Sequence, residues 1–184
     1  MLRFLSILMI VPLGIFAMSC RPAAAPVSIS NRPSSINDRR VSLAPSEMTW
    51  TSAEGTRQRL SSLNGKVVIL DFWATYCIPC REEIPHLNAL QAQYGTDKLQ
   101  ILGMHSGGDE DRPKIAEFQR QTAIEYPLAY PDDDLIQFIF ANDDRIPQTA
   151  VFDRQGKMVK KIVGFGPEIK KELDAAVESA IGSQ

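Results

Sequence analysis

The sequence contains few cysteines and histidines, the residues that most often bind transition metals or cross-link small proteins. Of 184 residues, three are cysteines, Cys20, Cys77 and Cys80, and two are histidines. Three cysteines are too few to cross-link a disulfide-rich miniature fold. Two histidines are too few to supply the ligands of a multi-metal site. The sequence therefore predicts neither a metal nor a cofactor.

The sequence also lacks an excess of charge of one sign. Twenty lysines and arginines against 22 aspartates and glutamates give a net charge of -2. This balance creates no field that would attract a polyanion, so we predict no nucleic-acid partner and no electrostatic binding to an anionic membrane. With 44% apolar and 23% charged residues, the composition is that of a globular domain with additional segments, not of a disordered chain or a coiled coil.

A single long hydrophobic run lies at the N-terminus. Arg3 precedes apolar residues 4–18, and the run ends at Ser19-Cys20. A run of about 15 residues is short for a bilayer-spanning helix but fits the hydrophobic region of a signal peptide. We therefore predict a signal peptide over residues 1–19 and export from the cytoplasm. The small residues before Cys20 resemble a bacterial lipobox, which makes Cys20 the predicted lipidation site. Ordinary cleavage and an uncleaved anchor are the alternatives.

Residues 20–45 differ from the rest of the chain in composition. They are rich in proline, alanine, serine and arginine and show no apolar periodicity. Such a segment cannot bury a core and is typical of a flexible tether. Fully extended, it could hold a domain several nanometres from a membrane surface. We predict that the folded domain occupies residues 46–184.

Within residues 46–184, strand and helix patterns alternate. The pattern predicts a hairpin at 48–60, strands at 67–73 and 99–104, helices at 79–94 and 113–122, a hairpin at 150–163 and a helix at 168–181. Residues 67–73 are nearly all apolar, as in a strand buried on both faces. This order predicts an α/β fold with an N-terminal β-hairpin and a central mixed sheet flanked by helices on both faces.

The segment Cys77-Ile78-Pro79-Cys80 lies where the buried strand meets the following helix. A helix N-terminus stabilises a thiolate through unpaired N–H groups and a partial positive charge. Cys77 is therefore the predicted exposed nucleophile, which attacks a substrate disulfide, and Cys80 resolves the mixed disulfide that forms. A static disulfide is one alternative. A zinc site is another, and it would need His86 and His105 as further ligands.

Asp71 is an unexpected carboxylate in the buried strand Val-Val-Ile-Leu-Asp-Phe-Trp. Burial disfavours the charged form and raises the pKa of a carboxyl group, so Asp71 could exchange protons near neutral pH. We predict a role in proton transfer, the alternative being a polar residue at the strand end that pairs with a neighbour.

Residues 71–80, together with Glu83-Ile84-Pro85 and the later segment 146–149, Ile-Pro-Gln-Thr, resemble the thioredoxin superfamily. Within it they are similar to the TlpA/ResA-like extracytoplasmic thiol-disulfide oxidoreductases, over roughly residues 45–181. The resemblance implies a thioredoxin-like fold. It also implies that Asp71 assists the deprotonation of Cys80.

The same resemblance implies a substrate groove beside the cysteines. Pro147 corresponds to a proline that has a cis peptide bond and packs against the cysteine pair. Ile146 and Pro147 are therefore predicted to form one wall of the groove, and Trp73 and Tyr76 its apolar rim. For Trp73, packing in the core is the alternative.

The predicted function is that of a thiol-disulfide oxidoreductase at the periplasmic or cell-envelope face of a membrane, attached by a lipid at its N-terminus. The resemblance implies that it reduces cysteine pairs in exported client proteins, for example during cytochrome c maturation, and is re-reduced by a membrane thiol-disulfide electron donor. A thioredoxin-fold metallochaperone, a peroxide reductase and a non-catalytic client-binding domain are the alternatives.

Overall fold

The computed structural model describes residues 44–183, so the predicted signal peptide, Cys20 and nearly all of the predicted tether lie outside the described residues. Within this range, no helix is both long and apolar enough to cross a membrane. The strands are β1 (Thr49–Ser52), β2 (Arg57–Arg59), β3 (Val67–Trp73), β4 (Leu99–His105), β5 (Leu128–Pro131), β6 (Gln148–Phe152) and β7 (Met158–Val163). The α-helices are α1 (Ile78–Tyr94), α2 (Ile115–Gln121), α3 (Asp133–Phe140) and α4 (Pro167–Gly182). Short 3₁₀ helices span Pro45–Glu47, Leu60–Leu63 and Arg112–Lys114.

The seven strands form one mixed sheet in the order β2-β1-β5-β4-β3-β6-β7. β3 pairs in parallel with β4 along its whole length and antiparallel with β6 on its other side. β4 also pairs in parallel with β5, and the hairpin β1–β2 extends the sheet antiparallel beyond β5. The strand that leads to the cysteines is therefore central and hydrogen-bonded on both sides.

Alternation along β3 divides its side chains between two core layers. Val68, Leu70 and Phe72 belong to the layer that includes Leu135 and Ile139 of α3. Val67 and Ile69 belong to the opposite layer, which α1 and α4 cover with leucines and valine, namely Leu87, Leu90, Leu173 and Val177. Asp71 lies two residues after Ile69 and four after Val67, so its side chain points to the same face of the sheet, which α1 covers.

The observed architecture confirms the predicted α/β fold, both hairpins and the helices on both faces of the sheet. Two elements differ from expectation. The sequence pattern did not indicate β5, which follows Pro127 and ends in Pro131. The helix predicted at 113–122 begins as the 3₁₀ helix Arg112–Lys114 and becomes α-helical only at Ile115.

Candidate active site

Cys77 ends the turn between β3 and α1, which we call the redox turn (residues 74–77), and Cys80 lies in the first turn of α1. Cys77 is the N-cap of α1, and its Sγ accepts a hydrogen bond from the Cys80 N–H at 3.2 Å. The Cys77 N–H donates to the Ala74 carbonyl at 3.2 Å, which closes the turn. Pro79 lies in the first turn of the helix, where a missing N–H costs nothing. The two sulfurs form a disulfide.

Accessibility at the redox turn differs from the sequence prediction. Cys77, predicted to be exposed, is only 5% exposed, and Cys80 is 1% exposed. Both sulfurs belong to an apolar cluster with Ile84 of α1, Trp73 and Phe118, which covers much of Cys77 in the disulfide form.

Tyr76 and Ile78, the residues on either side of Cys77, are 66% and 71% exposed. Tyr76 therefore presents the apolar surface expected of a groove rim. Trp73 does not, because it is fully buried. Its ring packs 4.9 Å from the Phe118 ring and 5.4 Å from the His105 ring, centroid to centroid. The prediction that Trp73 lines the rim is thus wrong: β3 continues as buried strand through Trp73, which supports the site from below.

The Ile146-Pro147 peptide bond is cis, as the resemblance predicted. Pro147 is buried, and Ile146 is half-buried against the cluster that contains both cysteines. The Pro147 carbonyl accepts a hydrogen bond from the Gly164 N–H at 2.8 Å, which joins this turn to the end of β7. The fold therefore brings the predicted groove wall and the cysteines together.

Two carboxyl groups lie buried beside the redox pair. Asp71 is 1% exposed and accepts a hydrogen bond from the Tyr126 hydroxyl at 2.9 Å. Glu83 is 0% exposed and accepts one from the Thr149 hydroxyl at 2.6 Å. Asp71 and Thr149 are direct partners in the β3–β6 register, so both acids lie next to the same β6 residue. Glu83 follows Cys80 by three residues on α1 and therefore shares its helix face.

Burial controls the ionisation of both acids. Burial raises the pKa of Asp71 to about 7, although the Tyr126 hydrogen bond opposes the rise. Burial also raises the pKa of Glu83 well above its usual range, and the negative charge of Asp71 raises it further. Two adjacent carboxylates without a cation cannot both be charged in an apolar interior. The pair therefore keeps a proton at neutral pH.

A second buried polar group contacts the redox turn from the segment after β4. Asp111 is 2% exposed and accepts hydrogen bonds from the backbone and the hydroxyl of Thr75. His105, also buried, lies with Nε2 3.0 Å from Asp111 Oδ2. The neighbouring Asp109 is exposed and pairs with Arg112 at the surface.

Sequence reasoning missed Glu83, Tyr126 and Asp111 as parts of the site and considered His105 only as a metal ligand. For Glu83 a signal was available: it follows Cys80 by three residues, the spacing of neighbours on one helix face. Asp111 follows two other acids in a loop, where no periodicity indicates which side chain points inward.

The histidines do not form a zinc site with the cysteines. His86 Nε2 contacts Asp174 at 2.7 Å, whereas His105 contacts Asp111. Across residues 44–183 there is no group of three or more potential ligands that could hold a metal ion.

Comparisons with known proteins agree with this geometry. A family model described as the AhpC/TSA family matches residues 42–161. The thiol-disulfide oxidoreductase ResA of Geobacillus kaustophilus is 30% identical over 138 residues, which cover 75% of this chain and 76% of that protein. ResA of Bacillus cereus is 30% identical over 128 residues, 70% of this chain and 71% of that protein.

Solved structures show the same likeness. The crystal structure of a thiol:disulfide interchange protein of the thioredoxin family from Chlorobium tepidum superposes with a TM-score of 0.61. It is 28% identical, and the match covers 76% of this chain and 97% of that one.

Proposed function

We propose that this chain, which belongs to the AhpC/TSA family, reduces disulfides in exported client proteins through Cys77 and Cys80. The chain is a thiol-disulfide oxidoreductase with a thioredoxin-like fold. The main support for this function is the cysteine pair at the N-terminus of α1, with two buried acids beside it. Client reduction, the direction of electron flow and the cellular location are the proposed parts.

The reaction begins at Cys77. Its thiolate, stabilised by the Cys80 N–H and the helix N-terminus, attacks one sulfur of a client disulfide. A mixed disulfide forms, and the other client sulfur leaves as a thiolate that takes up a proton. The client remains covalently bound to Cys77 until the second cysteine reacts.

Resolution requires Cys80 to lose its proton. Cys80 is buried, so the thiol cannot release the proton directly to bulk water. We infer that Asp71 accepts it, because Asp71 lies on the strand face covered by α1 and its pKa is about 7. The Cys80 thiolate then attacks Cys77 Sγ, the mixed disulfide breaks, and the second client sulfur leaves as a thiolate. The protein ends as the Cys77–Cys80 disulfide, and two electrons have passed to the client.

We propose a groove for an extended client segment beside the disulfide. Its support is that Ile146 packs against the cluster that contains both cysteines, and that the side chains of Tyr76 and Ile78, on either side of Cys77, are exposed. We propose that this groove binds the cysteine-containing segment of the client, with apolar contacts supplying affinity.

The proposed location is the periplasmic or cell-envelope face of a membrane. Its support is the predicted signal peptide over residues 1–19, the predicted lipidation of Cys20 and the predicted tether. A membrane thiol-disulfide donor would re-reduce the pair, and apocytochrome c is one candidate client. Labelling with a radioactive fatty acid in the native host tests the anchor. We expect incorporation into the original protein and none into Cys20→Ser.

Covalent trapping tests the proposed function. Cys80→Ser cannot resolve the mixed disulfide, so expression in the native host should accumulate client adducts on Cys77 that dithiothreitol releases. The control is the double variant Cys77→Ser/Cys80→Ser, which should carry none. If the two variants yield the same adducts, or neither yields any, client reduction through Cys77 is wrong.

A further inference from the structure

Thr75, two residues before Cys77, is hydrogen-bonded through every polar group it has. Its backbone N–H donates to Asp111 Oδ2 at 2.8 Å, and its hydroxyl donates to Asp111 Oδ1 at 2.5 Å. Its carbonyl accepts from Arg81 Nη2 at 3.2 Å. The Arg81 guanidinium is itself held over the Phe118 ring, 4.6 Å from the centroid. The middle of the redox turn is therefore fixed from two sides.

Asp111 accepts four hydrogen bonds with its two carboxylate oxygens. Oδ2 is shared by the Thr75 N–H and His105 Nε2, and Oδ1 by the Thr75 hydroxyl and the Lys114 ammonium, the last at 3.3 Å. Burial raises the pKa of Asp111, but these hydrogen bonds outweigh burial and lower it to about 2. A carboxylate with four donors is charged and has no freedom to rotate.

His105 is suited to be one of these donors. It is fully enclosed, with Nε2 toward Asp111 and, among residues 44–183, no hydrogen-bond partner for Nδ1. Burial lowers the pKa of His105, which favours the neutral ring. A neutral ring with its proton on Nε2 donates to Asp111 and leaves Nδ1 as an unprotonated nitrogen.

The segment that carries Asp111 is attached to the end of β3 at a further point. The backbone N–H and the hydroxyl of Ser106 both donate to the Trp73 carbonyl, at 2.9 and 3.2 Å. The next residue, Gly107, approaches the Asp111 carboxylate so closely that an added Cβ would collide with it. The segment after β4 is thus shaped to bring Asp111 against the redox turn.

We propose that Asp111 is a positioning residue for the redox reaction: by fixing Thr75 it holds Cys77 Sγ against the N–H groups at the start of α1. This proposal concerns the cysteine pair itself. It builds on the thiol chemistry described above but not on the identity of any client.

The direction of the effect separates positioning from a purely electrostatic influence. A negative charge near Cys77 would disfavour the thiolate, so its removal alone would lower the pKa of the Cys77 thiol. If Asp111 acts by position, its removal loosens the turn, separates the sulfur from the Cys80 N–H and raises the pKa of the thiol. The Lys114 ammonium and the polarised donors around Asp111 offset much of its charge. In Asp111→Asn the displacement of the sulfur should therefore affect the pKa of the Cys77 thiol more than the loss of the negative charge does.

Alkylation of Cys77 by iodoacetamide in the reduced, full-length protein tests the proposal. The rate is followed against pH, with Cys77 resolved from Cys20 and Cys80 by peptide mass spectrometry. Asp111→Asn replaces an acceptor oxygen by an NH₂ group that faces other donors. At pH 7 we expect Cys77 in this variant to react at least about threefold more slowly than in the original protein. The midpoint of the pH profile should shift to higher pH.

Four further variants accompany this measurement. Asp109→Asn removes an exposed carboxylate from the same loop and should leave the profile unchanged. Thr75→Val removes only the hydroxyl hydrogen bond and should slow alkylation in the same direction, whereas Thr75→Ser keeps the hydroxyl and should react faster than Thr75→Val. In the double variant Asp111→Asn/Thr75→Val, the slowing should be smaller than the product of the two single effects.

Faster alkylation of Asp111→Asn at pH 7, or an unchanged profile, would overturn the proposal. If circular dichroism shows that Asp111→Asn does not fold, the comparison of Thr75→Val with Thr75→Ser decides, and equal rates for these two contradict positioning. Alkylation involves no client, so failure of the trapping experiment above would leave this result intact.

Discussion

Asp71 and Glu83 are the side chains whose protons connect catalysis with stability. Both are buried, neither forms an ion pair within residues 44–183, and both pKa values are raised by burial. In the unfolded chain each carboxyl group would ionise near pH 4. Folding therefore binds protons at neutral pH, and the folded state becomes less stable as these protons are lost.

Asp71→Asn should stabilise the oxidised protein at alkaline pH. The Asp71 pKa rises from 3.8 to about 7 on folding, so its unfavourable contribution is absent below pH 3.8 and grows as the pH rises toward 7. We expect the variant to exceed the original protein in unfolding free energy by about 2–4 kcal/mol at pH 8, and by little at pH 4. Urea denaturation at both pH values measures this difference.

The matched control for this stability measurement is Asp97→Asn, which removes an exposed carboxylate in the turn before β4. It should change the unfolding free energy by less than about 0.5 kcal/mol at either pH. A stability gain in Asp71→Asn that is the same at pH 4 and pH 8 would show that ionisation of Asp71 is not its cause.

Single residues also show how far sequence reasoning reaches. The pattern identified Asp71, because a carboxylate inside an apolar strand is conspicuous wherever that strand lies. It did not identify Glu83, because an acid on a helix does not interrupt an apolar run; the available signal was its three-residue spacing from Cys80. Asp111 depends on the path of a loop between two elements, which local sequence does not encode.

Among the elements, the redox turn presents the surface that a client would contact. Tyr76 and Ile78 are exposed beside a disulfide that is itself nearly covered. A small disulfide reagent needs only the sulfur, whereas a protein client needs the surrounding apolar surface as well.

Ile78→Ser should therefore raise the KM for a protein disulfide substrate about tenfold, while the rate of Cys77 with a small aromatic disulfide changes less than twofold. Val159→Ser, which replaces an exposed apolar residue on β7, is the control and should alter neither rate. An equal loss with both substrates would indicate that Ile78 affects the helix N-terminus and not client binding.

Gly103 on β4 lies beneath the site at a position where the packing leaves no space for a side chain. A Cβ at this position would lie 2.7 Å from a Leu128 methyl group and 3.1 Å from both the Trp73 indole nitrogen and the Tyr126 ring. These neighbours are packed, so Gly103→Ala should force them apart and destabilise the protein by about 1–3 kcal/mol in thermal or urea denaturation. Gly182→Ala, where nothing lies within 4 Å of the added carbon, should cost nothing comparable. Equal stability of the two variants would contradict the packing argument.

Strands and helices differ in how well sequence predicted them. β3 and α1 were found because a long apolar run and a three- and four-residue periodicity are strong local signals. β5 was missed because it is four residues long, ends in Pro131 and pairs with β4 through only two residues. Its strand conformation depends on the β1–β2 hairpin that pairs with it from the other side, a long-range contact.

The domain places its reactive sulfur four residues after β3, the longest fully buried strand within residues 44–183. β3 is buried at all seven positions and is hydrogen-bonded to β4 and β6. Amide hydrogens in such a strand exchange with deuterium only when the protein unfolds globally, whereas those near a surface turn exchange through small local openings. Reduction of the disulfide should consequently speed exchange around residues 76–80 and leave residues 68–72 as slow as before. The protein can thus break and remake a covalent bond in every cycle without loosening the strand that holds it.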